Sequence, residues 1–221
     1  MKLLINALVK FFCGFLLVGL LIFLPAGTLA FAKGWLQMGL LFGPMFNAGL
    51  LMLAKSPEFL AKRLDVKEKR SAQQGVVKLS GLMFIAGFVV AGLDFRFGWS
   101  NMPQAVTVVA SILFLLAYLL YAEVMRENAY LSRTIKVEEG QTVVSTGLYG
   151  IVRHPMYMAT LLLFLVMPLV LGSWWALIPF AFYPAIIISR LKDEEVLLTR
   201  ELAGYAEYKE KVRYRIIPFI W

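Results

Sequence analysis

Long apolar runs alternate along the chain with short polar breaks. The first run covers roughly residues 11–31, with Lys2 and Lys10 ahead of it, and the second about 35–54. Two more lie near 76–93 and 104–125, and a closely spaced pair follows at about 156–171 and 174–190. A hydrocarbon core of about 30 Å takes about 20 helical residues to cross. The first four runs meet that length; the last two, of 16 and 17 residues, fall short of it. Only Gly172-Ser173 separates them, so they predict a tight helical hairpin packed inside a bundle. The first run is too long for a signal-peptide core and the second begins almost at once, so it reads as a retained helix. Gly39-Leu-Leu-Phe-Gly43 has a spacing that permits close helix contact and that a glycine-rich span also produces by chance. Asp94-Phe-Arg-Phe-Gly-Trp99 reads as an interfacial turn with its aromatics at headgroup depth.

The predicted fold is therefore all-α: a polytopic integral membrane helical bundle of five to six membrane helices. No Gly/Ser-rich or Pro-rich linker divides it, so residues 1–221 form one domain. Within it, 1–125 is a four-helix scaffold, and 126–221 carries the C-terminal hairpin and the residues with chemical promise.

Composition sharpens this picture. Of 221 residues, 60% are hydrophobic, and the mean hydropathy is +0.74. A soluble domain of this size cannot bury so much apolar surface. One cysteine, Cys13, lies within an apolar run, which leaves neither a disulfide framework nor a zinc cluster, and no metal site is expected. The formal charge of +8 raises nucleic acid as a partner, but its placement removes it. With both termini cytoplasmic, 20 of the 22 basic residues fall on the cytoplasmic side, among them Lys62, Lys67, Lys69, Arg70, Arg133 and Lys136. Lys33 and Arg96 fall outside. The basic excess is thus a topology signal, and residues 55–75 read as a solvated loop touching anionic headgroups.

The same orientation puts two polar stretches on one membrane face. One is Gly147-Leu-Tyr-Gly-Ile-Val-Arg-His-Pro-Met-Tyr157, which contains the single histidine, His154. Pro155 suits the first position of a helix, where its missing N–H is harmless. The amides of Met156, Tyr157 and Met158 would then point back towards Arg153 and His154, forming an anion seat. The other stretch is Asp193-Glu194-Glu195. At helical periodicity Glu194 falls in the middle of the apolar stripe of Ile187, Leu191 and Leu198, Glu195 at its edge, and Asp193 on the opposite side. An acid on such a stripe requires a positive partner, and Arg190, one turn earlier, offers one. A ligand bearing both a carboxylate and a positive charge would suit this pair of poles. A lone histidine near a membrane surface is most often structural. Here Tyr149 and Tyr157 flank it and offer π-faces to a purine or a sulfonium. Trp174 and Trp175 read as interface anchors.

The stretch from Gly147 to Tyr157 resembles the Gly-Pro-Tyr-x-x-Val-Arg-His-Pro-x-Tyr motif of the isoprenylcysteine carboxyl methyltransferase family, a pattern shared with phospholipid N-methyltransferases. Arg190-Leu-Lys-Asp-Glu-Glu195, Gly204-Tyr-Ala-Glu-Tyr208 and Ile216-Ile-Pro-Phe219 resemble the second half of that signature, so the likeness covers about 145–221. It implies S-adenosylmethionine as methyl donor in a cytoplasmic pocket beside the hairpin. His154 and neighbouring amides would meet its carboxylate, Glu194 or Glu195 its ammonium, and Tyr149 and Tyr157 would line the pocket. Leu148 stands where the family has proline, which loosens the turn, and Ala159 where it often has glycine, which makes backbone approach there less close.

If the acceptor is a carboxylate, no general base is required, and Arg153 or Arg190 would fix it. The expected acceptor is a lipophilic or prenylated molecule entering sideways from the membrane lipids, with the enzyme in a prokaryotic plasma membrane. Methylation of a phospholipid amine is an alternative that needs a base, His154 or a glutamate. An NADPH-dependent sterol-type reductase is a further alternative, for whose extra phosphate no dedicated basic cluster stands near the hairpin. A transporter would show internal repeats or charges at mid-membrane, and neither is clear.

Overall fold

The computed structural model describes residues 1–65, 71–131, 135 and 137–221. Lys67, Lys69, Arg70, Arg133 and Lys136, counted above as cytoplasmic, lie outside the described residues. The described residues form an all-α bundle. Among the described residues, four helices are long and apolar enough to span a membrane: α1 (Lys2–Ala26), α2 (Ala32–Lys55), α4 (Ser71–Phe97) and α5 (Gln104–Glu127). Between α2 and α4 lies a short helix, α3 (Pro57–Leu64). The shorter apolar α6 (Pro155–Leu171) follows a 3-10 turn at Gly147–Gly150, and α7 (Leu177–Phe180), α8 (Tyr183–Glu201) and α9 (Tyr205–Lys211) complete the chain.

Helix α6 is the centre of the bundle. Nine of its residues are buried, including Tyr157, Leu163, Met167 and Leu171, and its longest contact is with α5. The expected hairpin is present in part. Its return leg is no single helix over 174–190: Trp174 and Trp175 sit exposed in a turn, α7 is one turn long, and α8 starts only at Tyr183. Pro184 lies in the first turn of α8, where its missing N–H is harmless. Helix α8 then continues to Glu201, well past the apolar run, and carries the acidic triplet on regular helix.

Two further expectations change. Helix α4 continues through Phe97, so Asp94 is helical and buried, and the turn begins at Gly98. Asp94 accepts from the Ser100 amide (2.7 Å) and hydroxyl (2.6 Å) and from the Ser173 hydroxyl, tying the end of α4 to the α6–α7 turn. Gly39 and Gly43 contact no neighbouring helix: a Cβ on either would meet open space. The close crossing is at Gly92, where a Cβ would run into the Ile22 carbonyl oxygen and approach Pro25 Cβ to 3.0 Å, so the backbone of α4 packs closely against that of α1.

The two ends of the bundle differ in charge. At one end Arg96 lies against Gly27, and Lys33 against Gly172 beside the Asp94 cluster. At the other, Lys10 donates to the Leu64 carbonyl (2.6 Å) and Lys62 pairs with Glu138 (2.5 Å). The two basic residues assigned to the outer face thus share one end, and the Gly147–Tyr157 stretch sits at the opposite one.

Candidate functional site

Pro155 is the first residue of α6, with His154 at the N-cap. The anion seat is narrower than expected. The amides of Tyr157 (3.0 Å) and Met158 (3.2 Å) both donate to the His154 carbonyl, which leaves the Met156 amide of that turn for a ligand. The C-terminal tail fixes the loop from the side. The Arg153 amide donates to the Tyr214 carbonyl (2.9 Å) and the His154 amide to the Arg215 carbonyl (2.8 Å), flanking a parallel bridge between Val152 and Tyr214.

This crossing brings in Arg215, which sequence reasoning missed. Its Nε lies 3.2 Å from Glu195 Oε2, while Arg153 Nε and His154 Nε2 lie 3.0 and 3.3 Å from Glu195 Oε1. The Arg153 contact is close in distance but not aligned as a hydrogen bond. Glu195 is 6% exposed and Glu194 half-buried, the reverse of the helical-wheel expectation, because the tail and the α6 N-terminus cover the Glu195 side of α8. Two guanidinium groups around one carboxylate leave the start of α6 net positive. Burial alone pushes the Glu195 carboxyl up, but the His154 hydrogen bond and the charges of His154, Arg153 and Arg215 outweigh it and hold the group below its ordinary value.

Glu194 faces a different group. The Tyr157 hydroxyl donates to Glu194 Oε2 (2.5 Å) and accepts from Arg190 Nε (3.1 Å), so the acid and the arginine meet on one phenol. Asp193, expected on the side of α8 opposite the stripe, accepts from Gln73 of α4 (2.7 Å).

These groups border an open cleft of about 850 Å³, its mouth included. Tyr149, Arg153, His154, Met156, Tyr157, Arg190 and Glu194 all line it, so the structure gathers six of the seven residues singled out from sequence; Glu195 stands behind the wall. The segment after α5 adds a mixed lining, aliphatic at Leu131, Ile135, Val143 and Val144 and polar at Asn128, Gln141 and Thr142. That segment is held by small polar joints. Asn128 donates to the Tyr149 hydroxyl (2.9 Å), and Tyr208 to the Tyr149 carbonyl (2.7 Å). Burial pushes the Tyr149 phenol up to about 12, so it stays neutral at physiological pH. Tyr205, also at the cleft, is raised further by burial and by the nearby Glu195 and Glu194. The Tyr205 hydroxyl is buried without a hydrogen-bond partner among the described residues.

Leu148, the departure from proline, has a use here: its amide donates to Glu127 Oε2 (3.1 Å), a bond proline cannot make. Gly147 beside it has φ +50°, and a Cβ there would collide with the same carboxylate. Gly147→Ala is expected to destabilise the protein by about 1–3 kcal/mol through this strain, read as a lower melting temperature in detergent.

Residues 100–203 match the model of the phospholipid methyltransferase family. Delta(14)-sterol reductase TM7SF2 of Mus musculus is 32% identical over 91 residues, 40% of this chain, and the chain spans only 22% of that relative's length. The family match runs from the turn before α5 to the end of α8 and includes the Arg153-His154-Pro155 loop and the acidic triplet. It supports a membrane methyltransferase.

Proposed function

We propose that the cleft binds S-adenosylmethionine and that the protein methylates a lipid-like acceptor reaching the cleft from the bilayer. The observation that carries this is the pair of opposed poles on one cleft: the Glu194 carboxylate on α8, and the net-positive Arg153–Arg215–Glu195 cluster at the start of α6. The donor set fits the cofactor. Glu194 would take its ammonium, and the Met156 amide and the His154 side of the α6 N-terminus its carboxylate. Tyr149, Val144 and Leu198 offer the flat and aliphatic surfaces a nucleoside needs. When bound, S-adenosylmethionine supplies a methyl group on a sulfonium sulfur.

The chain's own groups favour a carboxylate acceptor, as in isoprenylcysteine methylation. A carboxylate oxygen forms its new C–O bond as the C–S bond breaks, and no proton has to leave. One atom of each side chain best suited to act as a base is engaged, His154 Nε2 with Glu195 and Glu194 Oε2 with Tyr157, so either would have to act through its other atom. Arg190, in the cleft wall, would hold such a carboxylate. The phospholipid methyltransferase match favours a second reading, methylation of a phospholipid amine, which must lose a proton first. The basic residues at that end of the bundle support a cytoplasmic cleft and cytoplasmic termini.

The test is transfer of labelled methyl from S-adenosylmethionine by the detergent-purified protein. N-acetyl-S-farnesylcysteine and phosphatidylethanolamine vesicles serve as separate acceptors. Labelling of the first, with a rate flat above neutral pH, is expected. Labelling of phosphatidylethanolamine with a rate climbing above neutral pH would establish the amine reading. Labelling of water-soluble acceptors alone would overturn both.

A further inference from the structure

Gln73 sits in the first turn of α4 and is 1% exposed, a polar side chain enclosed where the helix enters the apolar layer. A buried amide is costly unless both its donor and its acceptor are used. Here both are. Nε2 donates to Asp193 Oδ2 (2.7 Å), and Oε1 accepts, at longer range, from an Arg190 guanidinium nitrogen (3.5 Å). Asp193 and Arg190 are neighbours across one turn of α8, one needing a donor and the other an acceptor. A planar amide serves the two at once, and only in this orientation, since the flipped form would set oxygen against carboxylate and N–H against N–H.

The contact does not end at α8. Arg190 passes it to the Tyr157 hydroxyl (3.1 Å), and Tyr157 to Glu194 (2.5 Å). Arg190, Tyr157 and Glu194 all line the cleft, whereas Gln73 does not. The string therefore runs from the scaffold helices, through three elements, into the wall where the proposed function puts the cofactor's ammonium.

We infer that Gln73 is a positioning residue for that end of the cleft: it fixes the direction of the Arg190 guanidinium and, through Tyr157, the place of the Glu194 carboxylate. The inference rests on the proposed cofactor reading. It predicts a specific loss. Disturbing Gln73 should weaken ligands that carry the amino-acid end and spare those that lack it.

The experiment measures the affinity of S-adenosylhomocysteine and of 5′-methylthioadenosine, which shares the nucleoside but has no ammonium or carboxylate, in wild type, Q73L and Q73E. In Q73L the homocysteine ligand is expected to bind about tenfold more weakly, with methylthioadenosine within about twofold. Q73E keeps the reach and an acceptor for Arg190 but opposes Asp193 with a second carboxyl. Its affinity relative to wild type at the same pH is expected to recover as pH is lowered from about 8 to about 6 and the introduced carboxyl takes a proton. Equal weakening of both ligands would show a general distortion and overturn the inference. So would unchanged S-adenosylhomocysteine binding in Q73L. Failure of the wild type to bind S-adenosylhomocysteine would instead overturn the cofactor reading beneath it.

Discussion

Glu195→Gln is expected to lower the melting temperature of the detergent-purified protein by on the order of 10 °C, from a loss of about 3 kcal/mol. Glu195 stands where three elements meet: α8 supplies it, the loop before α6 supplies Arg153 and His154, and the tail supplies Arg215. Arg153 is itself buried, so removing the carboxylate charge strands a guanidinium away from water. Acid should reproduce part of the effect. A carboxyl whose folded pKa is lowered contributes stability that is fully present above its unfolded value, about 4.3, and is lost as pH falls through the folded one. The gap in melting temperature between wild type and Glu195→Gln is therefore expected to hold steady from about pH 7 to about pH 5 and to close below about pH 4. A gap that widened on acidification would contradict the ion cluster.

Its neighbour should behave in the opposite way. Glu194→Gln keeps the size of the side chain and an acceptor for the Tyr157 hydroxyl, and the residue is only half-buried. Stability should change by about 1 kcal/mol or less. What disappears is the negative charge at the cleft wall. A hydrogen bond to a charged group contributes roughly 1.5–3 kcal/mol, so binding of S-adenosylhomocysteine should weaken by about 10- to 100-fold. Two adjacent glutamates would thus separate cleanly, one by melting temperature and the other by calorimetric affinity. Equal loss of stability in both variants would mean that Glu194 is a second brace and no ligand group.

The sequence makes the spans legible because the bilayer imposes a length that ordinary helices need not satisfy: α2, α4 and α5 lie where the apolar runs do, whereas α1 starts at Lys2, takes in Lys10 and stops at the Gly27 cap, earlier than the run of 11–31. Pro155 marks the start of α6 for an equally local reason, the missing amide that costs nothing in a first turn. The clustering of Tyr149, Arg153, His154, Tyr157, Arg190 and Glu194 on one cleft follows from placing both polar stretches at the same end of the bundle. What the sequence hid depends on chain segments arriving from elsewhere. A helical wheel puts Glu195 at the edge of the stripe, and the α6 N-terminus together with the tail crossing at Tyr214 and Arg215 buries it. Asp193 falls opposite the stripe with no partner legible in the sequence, and α4 brings Gln73 to it. Gln73 carries no periodic signal of its own, one glutamine beside another at the edge of an apolar run. The Gly39–Gly43 spacing illustrates the converse, a local pattern where a Cβ would meet nothing within 4 Å among the described residues, while the unremarked Gly92 makes the close crossing.

Calorimetric titration of the wild-type protein in detergent with S-adenosylhomocysteine, and separately with NADPH, is the measurement to make first. The opposed poles of the cleft and the match to phospholipid methyltransferases predict saturable binding of S-adenosylhomocysteine and none of NADPH. Binding of NADPH without S-adenosylhomocysteine would contradict the methyltransferase reading and move the protein towards the sterol reductase with which it shares 91 aligned residues.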